Sequence, residues 1–323
     1  MAAIVEADAR SIARAADLLI AGRLVAFPTE TVYGLGADAT NDLAVASIFE
    51  TKGRPAFNPL IVHVAGFEEA ARHAHFNPLA EKLAQVFWPG GLTLVLPRRT
   101  NSGVSLLVSA GLDTLALRVP SHPVAQALLK AAKRPIAAPS ANASGKISPT
   151  LASHVAQSLG NQAALELILD GGACMLGLES SVVGFPKDGP PIWLRPGAVP
   201  REDIEHEIGI KLAESRIDDG DQARSSPGQL ASHYAPNAML RLNAAELRDN
   251  ELLLAFGPAA PEGPDVMNLS PRGDVTQAAS NFFAMLRALD ARAADRVIAV
   301  MPIPRTGLGE AINDRLQRAI VRD

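Results

Sequence analysis

The run Pro28-Thr29-Glu30-Thr31-Val32-Tyr33-Gly34-Leu35-Gly36-Ala37-Asp38 constrains this chain more than any other stretch. It follows four apolar residues, Leu24–Phe27, that read as a buried strand. It precedes residues 43–50, an amphipathic segment that reads as a helix. Two threonines, a glutamate and a tyrosine therefore crowd the end of a strand. Gly34 and Gly36 let the backbone turn tightly or come close to a ligand. In open α/β sheets that edge is where ligands bind. Taken alone, the stretch reads equally well as an ordinary strand-to-helix loop with two turn glycines.

Helical and strand patterns alternate along most of the remaining chain. A helix over 9–21 is closed by Gly22, and Pro78–Phe87 is a second helical segment that ends near Pro89-Gly90. Strands are expected at 60–64, 92–96, 115–119 and 136–138, with a helix over 124–132. The alternation predicts an α/β fold with a sheet covered by helices. Residues 211–237, with Asp218-Asp219-Gly220-Asp221 and Ser225-Ser226-Pro227-Gly228, have linker composition. Beyond them, strands at 252–256 and 297–300 and helices over 276–289 and 310–320 predict a smaller, Rossmann-like α/β unit. The expected division is a first domain over 1–210, a linker over 211–237 that could fold back over the cleft as a lid, and a second domain over 238–323.

A chain of 323 residues suits two cores, and its hydrophobic content of 48% does not limit burial. No segment approaches the roughly 18 uninterrupted apolar residues of a membrane span. Glu6, Asp8, Arg10 and Arg14 stand where a signal peptide needs an apolar stretch, so the expected location is the cytoplasm. The single cysteine, Cys174, excludes an internal disulfide framework and argues against a cysteine-rich zinc site. Net charge is −4, and neither half of the chain is basic enough to mark a nucleic-acid binder.

Several residues carry candidate chemistry. Lys52-Gly53-Arg54 sits where a helix should end. It reads either as a helix C-cap with basic side chains near the negative end, or as two cations held rigidly for a triphosphate. There is no G-x-x-x-x-G-K-[ST], so phosphate binding would rely on side chains. Pro139-Ser140-Ala141-Asn142 is no nucleophile elbow, since it lacks both G-x-S-x-G and a local histidine. Arg118 lies in a largely apolar strand, so it must meet either a buried carboxylate or an anionic ligand, and the ligand is favoured. His63, on the strand over 60–64, reads on pattern alone as a hydrogen-bonded core histidine more readily than as a group facing the same cleft. No pair of histidines at i, i+4 suggests a metal site, and none is expected.

These blocks occur together with Asn58-Pro59-Leu60, Trp88-Pro89-Gly90-Gly91-Leu92-Thr93-Leu94-Val95-Leu96, Leu117-Arg118-Val119-Pro120, Glu179-Ser180-Ser181-Val182-Val183 and Leu194-Arg195-Pro196-Gly197. In this order and spacing, residues 8–205 resemble the YrdC-type threonylcarbamoyl-AMP synthases. Ser226-Pro227-Gly228 and His233-Tyr234-Ala235-Pro236 are similar to the interdomain linker of the long, two-domain form, and residues 307–316 to the end of its second domain. The resemblance implies a YrdC-like twisted mixed sheet. It implies synthesis of threonylcarbamoyl-AMP and pyrophosphate from L-threonine, bicarbonate and ATP, with Mg2+ brought in by ATP. It makes Lys52 and Arg54 the catalytic phosphate contacts. Thr31, His63, Arg118, Ala138, Ser180 and Ser181 would hold L-threonine. Asn58, Thr114, Ser140, Asn142, Arg195 and Tyr234 would join Lys52 and Arg54 around ATP. The product would pass to a separate tRNA threonylcarbamoyl transferase, with tRNA a further possible contact.

The family commonly has Thr where Ser181 stands, Asp where Gly184 stands, and Met-Lys-Tyr in place of Gln229-Leu230-Ala231. Two other readings are a non-catalytic RNA-binding module and a carbamoyl-transfer enzyme of hydrogenase maturation. The near-neutral first half argues against the former, and the single cysteine against the latter.

Overall fold

A computed structural model describes residues 2–215 and 233–321. The expected linker motifs Asp218-Asp219-Gly220-Asp221 and Ser225-Ser226-Pro227-Gly228, and the substituted Gln229-Leu230-Ala231, lie outside the described residues.

The first unit is built on one mixed sheet. Its strands are β1 (Ala3–Glu6), β2 (Leu24–Phe27), β3 (Gly34–Asp38), β4 (Ile61–His63), β5 (Leu92–Pro97), β6 (Thr114–Arg118), β7 (Ile136–Ala137), β8 (Leu165–Asp170), β9 (Ser181–Gly184), β10 (Ile192–Arg195) and β11 (Ala213–Glu214). They lie in the order β1-β8-β2-β3-β7-β4-β6-β5-β9-β10-β11. Parallel pairs such as β4–β6 and β5–β9 occur with antiparallel pairs such as β2–β3 and β5–β6 in the same sheet. Leu24, Val25, Ala26 and Phe27 are all fully buried, because the sheet is covered on both faces. On one face the helices Ala9–Ile20 and Pro123–Ala132 pack over Val25, Phe27 and Leu167.

Local chemistry sets the helix ends. The Asp8 carboxylate accepts the Ser11 amide at 2.7 Å, and Asn41 accepts the amides of Leu43 and Ala44. The helix Asp42–Lys52 ends at Gly53 with φ 60°, a left-handed cap that glycine adopts without strain. The helix-cap reading of Lys52-Gly53-Arg54 therefore holds for its backbone.

One expectation is corrected. Gly34 and Gly36 belong to β3, a strand paired with β2, and neither has a positive φ. Their role is close approach: a Cβ on Gly36 would lie 2.8 Å from the Phe27 ring and 3.1 Å from Ile136.

The second unit holds a parallel sheet of β12 (Leu240–Arg241), β13 (Glu251–Ala255), β14 (Val266–Asn268) and β15 (Val297–Val300), in the order β12-β15-β13-β14. The helices Val275–Ala293 and Leu308–Ile320 pack against one another beside it. The two units share an apolar cluster in which Val32, Ile147 and Leu178 of the first meet Tyr234, Phe282 and Phe283. Gly177, at φ 66°, lies so close to the Val275–Ala293 helix that a Cβ would fall 2.4 Å from the Ser280 carbonyl.

Candidate active site

The strand ends at the middle of the large sheet converge on a small cavity of about 50 Å3. Thr31, Arg54, His63, Arg118, Ala138, Ser140, Ser180, Arg195 and Tyr234, all expected from the sequence, line it together. The parallel register of β4 and β6 places His63 directly beside Arg118. The hairpin from β2 to β3 brings Thr29 and Thr31 to the same point, with their hydroxyls 2.7 Å apart.

On this side the groups suit a small zwitterion. Arg118 donates to the Glu30 carboxylate at 2.5 Å and to the Gly90 carbonyl at 3.1 Å. The second Glu30 oxygen accepts the amides of Ser121 and His122 at 3.0 and 3.3 Å. The sequence favoured an anionic ligand over a buried carboxylate for Arg118; the structure supplies the carboxylate, Glu30, while Arg118 also lines the cavity. Burial would raise the Glu30 carboxyl, but the adjacent Arg118 more than offsets this and holds it below its ordinary value. Burial, and then the nearby Arg118 charge, push His63 down to about 3, so the ring is neutral. Its Nδ1 is buried without a partner.

The other side is cationic. Lys52, Arg54 and Arg195 are all buried. Arg54 donates to the carbonyls of Asn58 and Pro59 at 3.1 and 2.9 Å. Burial, then Arg195, lower its pKa to about 10. Arg195 donates to the Ser180 carbonyl at 2.8 Å and to its hydroxyl at 3.1 Å, and that hydroxyl lies 2.7 Å from Thr93. Lys52 donates to the carbonyls of Ser140, at 2.6 Å, and Asn142. Burial and the adjacent Arg54 hold the ammonium well below its ordinary pKa. Among the described residues, Lys52 and Arg54 meet carbonyl oxygens and form no ion pair with a carboxylate. Grouped buried cations of this kind favour an anion.

Orphaned polar atoms cluster here too. Both amide atoms of Asn58, Oδ1 of Asn142 and Nδ1 of His233 are buried without a hydrogen-bond partner. Each such group costs about 1–3 kcal/mol. Of these, Nδ1 of His233 lies at the cavity wall, while the Asn58 and Asn142 atoms lie behind it, on residues whose carbonyls accept from Arg54 and Lys52.

Five expected residues do not line the cavity: Asn58 and Asn142 are buried beside it, where their carbonyls accept from Arg54 and Lys52, and the other three sit differently. Thr114 begins β6, at the opposite end from Arg118, and lines a separate cavity with Val95 and Phe185. The Ser181 hydroxyl donates to the Val199 carbonyl at 2.5 Å and accepts the Val199 amide at 3.0 Å, so it braces a turn. Lys52 is next to the cavity but holds the Ser140–Asn142 loop rather than lining it. Conversely, Thr29, Glu30, Glu179 and His233 line or brace the cavity and were not among the expected site residues. All four sit inside or next to recognised motifs, which is the signal that could have found them.

Tyr234 closes the cavity from the second unit's side. Its φ is 63°, unusual for a non-glycine residue, and it is 1% exposed. Its ring lies 5.6 Å from Phe283, and the Arg315 guanidinium lies 5.4 Å from the ring centre. Among the described residues no group of three or more His, Cys, Asp or Glu is arranged to hold a metal ion, and no helix is long and apolar enough to cross a membrane.

Residues 17–197 match a family model of the Sua5, YciO and YrdC proteins, described as "Telomere recombination". Residues 199–320 match one described as "Threonylcarbamoyl-AMP synthase, C-terminal domain". Over 94% of its length the chain is 42% identical to the threonylcarbamoyl-AMP synthase of Pyrococcus abyssi, of which it covers 92%. It is 41% identical to that of Bacillus subtilis over 95% of the chain and 92% of the relative. The crystal structure of P. abyssi Sua5 complexed with L-threonine is similar at a TM-score of 0.87 and 40% identity, covering 99% of this chain and 97% of that one.

Proposed function

The chain belongs to the threonylcarbamoyl-AMP synthase family, whose members are enzymes that use ATP to form an adenylate, and we propose that it joins L-threonine, bicarbonate or CO2, and ATP into L-threonylcarbamoyladenylate with release of pyrophosphate. The observation that carries this reading is the meeting of two unlike half-sites in one cavity. Thr31, His63 and Arg118 line one side of it, which we read as the amino-acid pocket, and Arg54 and Arg195, with Lys52 behind them, line a cationic side. A P. abyssi relative of the same architecture has been crystallised with L-threonine.

In this reading Arg118 takes the threonine carboxylate, and His63 and Thr31 face its hydroxyl and amine. The amine attacks CO2, or bicarbonate with loss of water, to give an N-carboxylate. One oxygen of that carboxylate attacks the α-phosphorus of ATP, and the bond to the β-phosphate oxygen breaks with departure of pyrophosphate. Negative charge grows on phosphoryl oxygens, so Arg54, Arg195 and the Ser140 loop would stabilise the transition state by position and charge rather than by a covalent step. Mg2+ would enter with ATP, held by phosphates and water. The adenylate would supply threonylcarbamoyl modification of tRNA through a separate transferase.

The test is incubation with ATP, L-threonine and bicarbonate, with L-valine in a parallel arm. Threonine-dependent pyrophosphate release and a threonylcarbamoyl-AMP mass are expected. Valine should be far poorer, because buried groups that pair with the substrate hydroxyl are left unpaired by its absence. Equal turnover of the two amino acids, or no adenylate, would refute the reading.

A further inference from the structure

The helix Leu308–Ile320 is remote in sequence from every residue assigned above, yet it sends one side chain to the cavity wall. Arg315 is 0% exposed. Its Nε and Nη2 each donate to one Glu179 oxygen at 3.2 Å. Its Nη1 donates to the Pro196 carbonyl and, at 3.2 Å, to Asp314. Its guanidinium lies 5.4 Å from the centre of the Tyr234 ring. Glu179 itself lines the cavity, takes a hydrogen bond from Ser148 on its other oxygen, and immediately precedes Ser180. Pro196 immediately follows Arg195. One side chain of the second unit therefore touches both segments that carry Ser180 and Arg195, and also the tyrosine that closes the cavity.

A residue that only glued the two units together would not need this placement. The contact between Trp193 and Glu310 at 3.1 Å does that work outside the cavity. Arg315 instead serves two groups at the cavity at once: Nε and Nη2 both donate to one Glu179 oxygen, and the guanidinium carbon lies over the Tyr234 ring. That geometry is specific to a guanidinium. We infer that Arg315 is a positioning residue of the catalytic cavity, setting the Glu179–Ser180 wall and the Tyr234 ring in the arrangement that adenylate formation requires. The second unit is then part of the active site through this side chain.

The inference rests on the activity proposed above, and its test keeps the two separable. Removing Arg315 alone would leave Glu179 buried and unpaired, which endangers folding. The comparison is therefore made on a Glu179→Gln background: Glu179→Gln against Glu179→Gln with Arg315→Met, alongside Arg315→Lys and the control Glu310→Gln. Pyrophosphate release gives kcat and KM for threonine and ATP. Thermal melting reports stability, and hydrogen exchange over residues 233–236 reports the Tyr234 segment.

Adding Arg315→Met to Glu179→Gln should lower kcat at least tenfold and speed exchange at 233–236. Arg315→Lys, which keeps the charge and loses the flat face, should fall between. Glu310→Gln should lower the melting temperature while its kinetics stay within twofold of wild type. The inference is overturned if the Arg315 variants lower only the melting temperature, or if Glu310→Gln loses as much activity as they do. A wild-type protein with no activity would refute the proposed reaction, while the exchange comparison would still decide the role of Arg315.

Discussion

Arg118 and Glu30 meet at 2.5 Å inside the large sheet, their side chains only 4% and 2% exposed. Eighty-eight residues separate them in the chain. The carboxylate fixes the guanidinium from behind and offsets its charge. Arg118 can thus present donors to the cavity without leaving a bare cation in the core. A partnered arginine of this kind suits a zwitterion, which brings one charge of each sign.

Replacing Arg118 should separate the two half-sites. Arg118→Ala is expected to abolish threonine binding and to keep most of the affinity for a non-hydrolysable ATP analogue, as read by calorimetry. It should also destabilise the fold by about 3–5 kcal/mol, since Glu30 would be buried alone. Adding Glu30→Gln should restore much of that stability and none of the threonine binding. Loss of nucleotide binding with threonine binding intact would show that the two halves have been assigned the wrong way round.

The cations at the end of the helix Asp42–Lys52 have distinct duties. Arg54→Ala should cut adenylate formation by two or more orders of magnitude, because under the proposed function it removes a cation facing the phosphates, and should lower the melting temperature, because the carbonyls of Asn58 and Pro59 lose their donor. Lys52→Met should cost a similar amount of activity and likewise lower the melting temperature, because it frees the carbonyls of Ser140 and Asn142 from their shared donor. Near-normal rates in both variants would reduce the motif to a helix cap.

Buried and half-buried histidines, among them His154, His73 and His122, make the protein acid-sensitive, and two more, His63 and His233, line the cavity. Burial holds the folded-state pKa of His63 at about 3, and burial followed by neighbouring cations holds that of His233 well below its ordinary value. Above pH 6.5 neither group favours either state. Below it the unfolded chain takes up protons that the folded chain refuses, so stability falls with falling pH by about 1.4 kcal/mol per unit for each group. Glu30, depressed in the folded state, adds stability above its ordinary value that is lost as pH drops further through its folded value. Urea unfolding between pH 7 and 4.5 should show this slope, and His63→Gln should reduce it by about one group's share. An unchanged slope in the variant would mean that His63 titrates normally.

Truncation tests the second unit as a whole. β11 pairs with β10, so a cut should follow Ser215 rather than fall at Lys211. The fragment 1–215 is expected to fold but to make adenylate at least tenfold more slowly, since it lacks Tyr234 and exposes Val32, Ile147 and Leu178. Tyr234→Ala in the full chain should reproduce part of that loss. A fragment as active as the intact protein would leave the second unit no part in the chemistry.

Much of this architecture could be read from the chain because strong local signals coincide. Leu24–Phe27 and Pro78–Phe87 are bounded as expected, by apolar runs and a proline start. β3 was missed because two of its residues are glycines, and a glycine that is needed for close packing looks the same in sequence as one that is needed for a turn. The site residues were legible as motifs, but their partnerships were not. His63 meets Arg118 through a parallel register, Glu30 meets Arg118 across the sheet, and Arg315 meets Glu179 between units. The Ser181 hydroxyl turned to Val199 for the same reason: which face a strand's first residue presents depends on the register of its neighbour.

The cavity's volume of about 50 Å3 has a kinetic consequence. Sites for molecules of nucleotide size enclose roughly 300–1,000 Å3. Under the proposed function, the Tyr234 ring and its neighbours, which line this cavity, stand where an incoming nucleotide must be accommodated. Nucleotide entry is then expected to wait on their departure. At low concentration the observed association rate should climb in proportion to nucleotide, and at high concentration it should level off at the frequency with which residues 233–236 swing clear. A plateau of that kind would give the dwell time of the closed form directly, and it would also set the earliest moment at which product could escape to water or to a waiting acceptor.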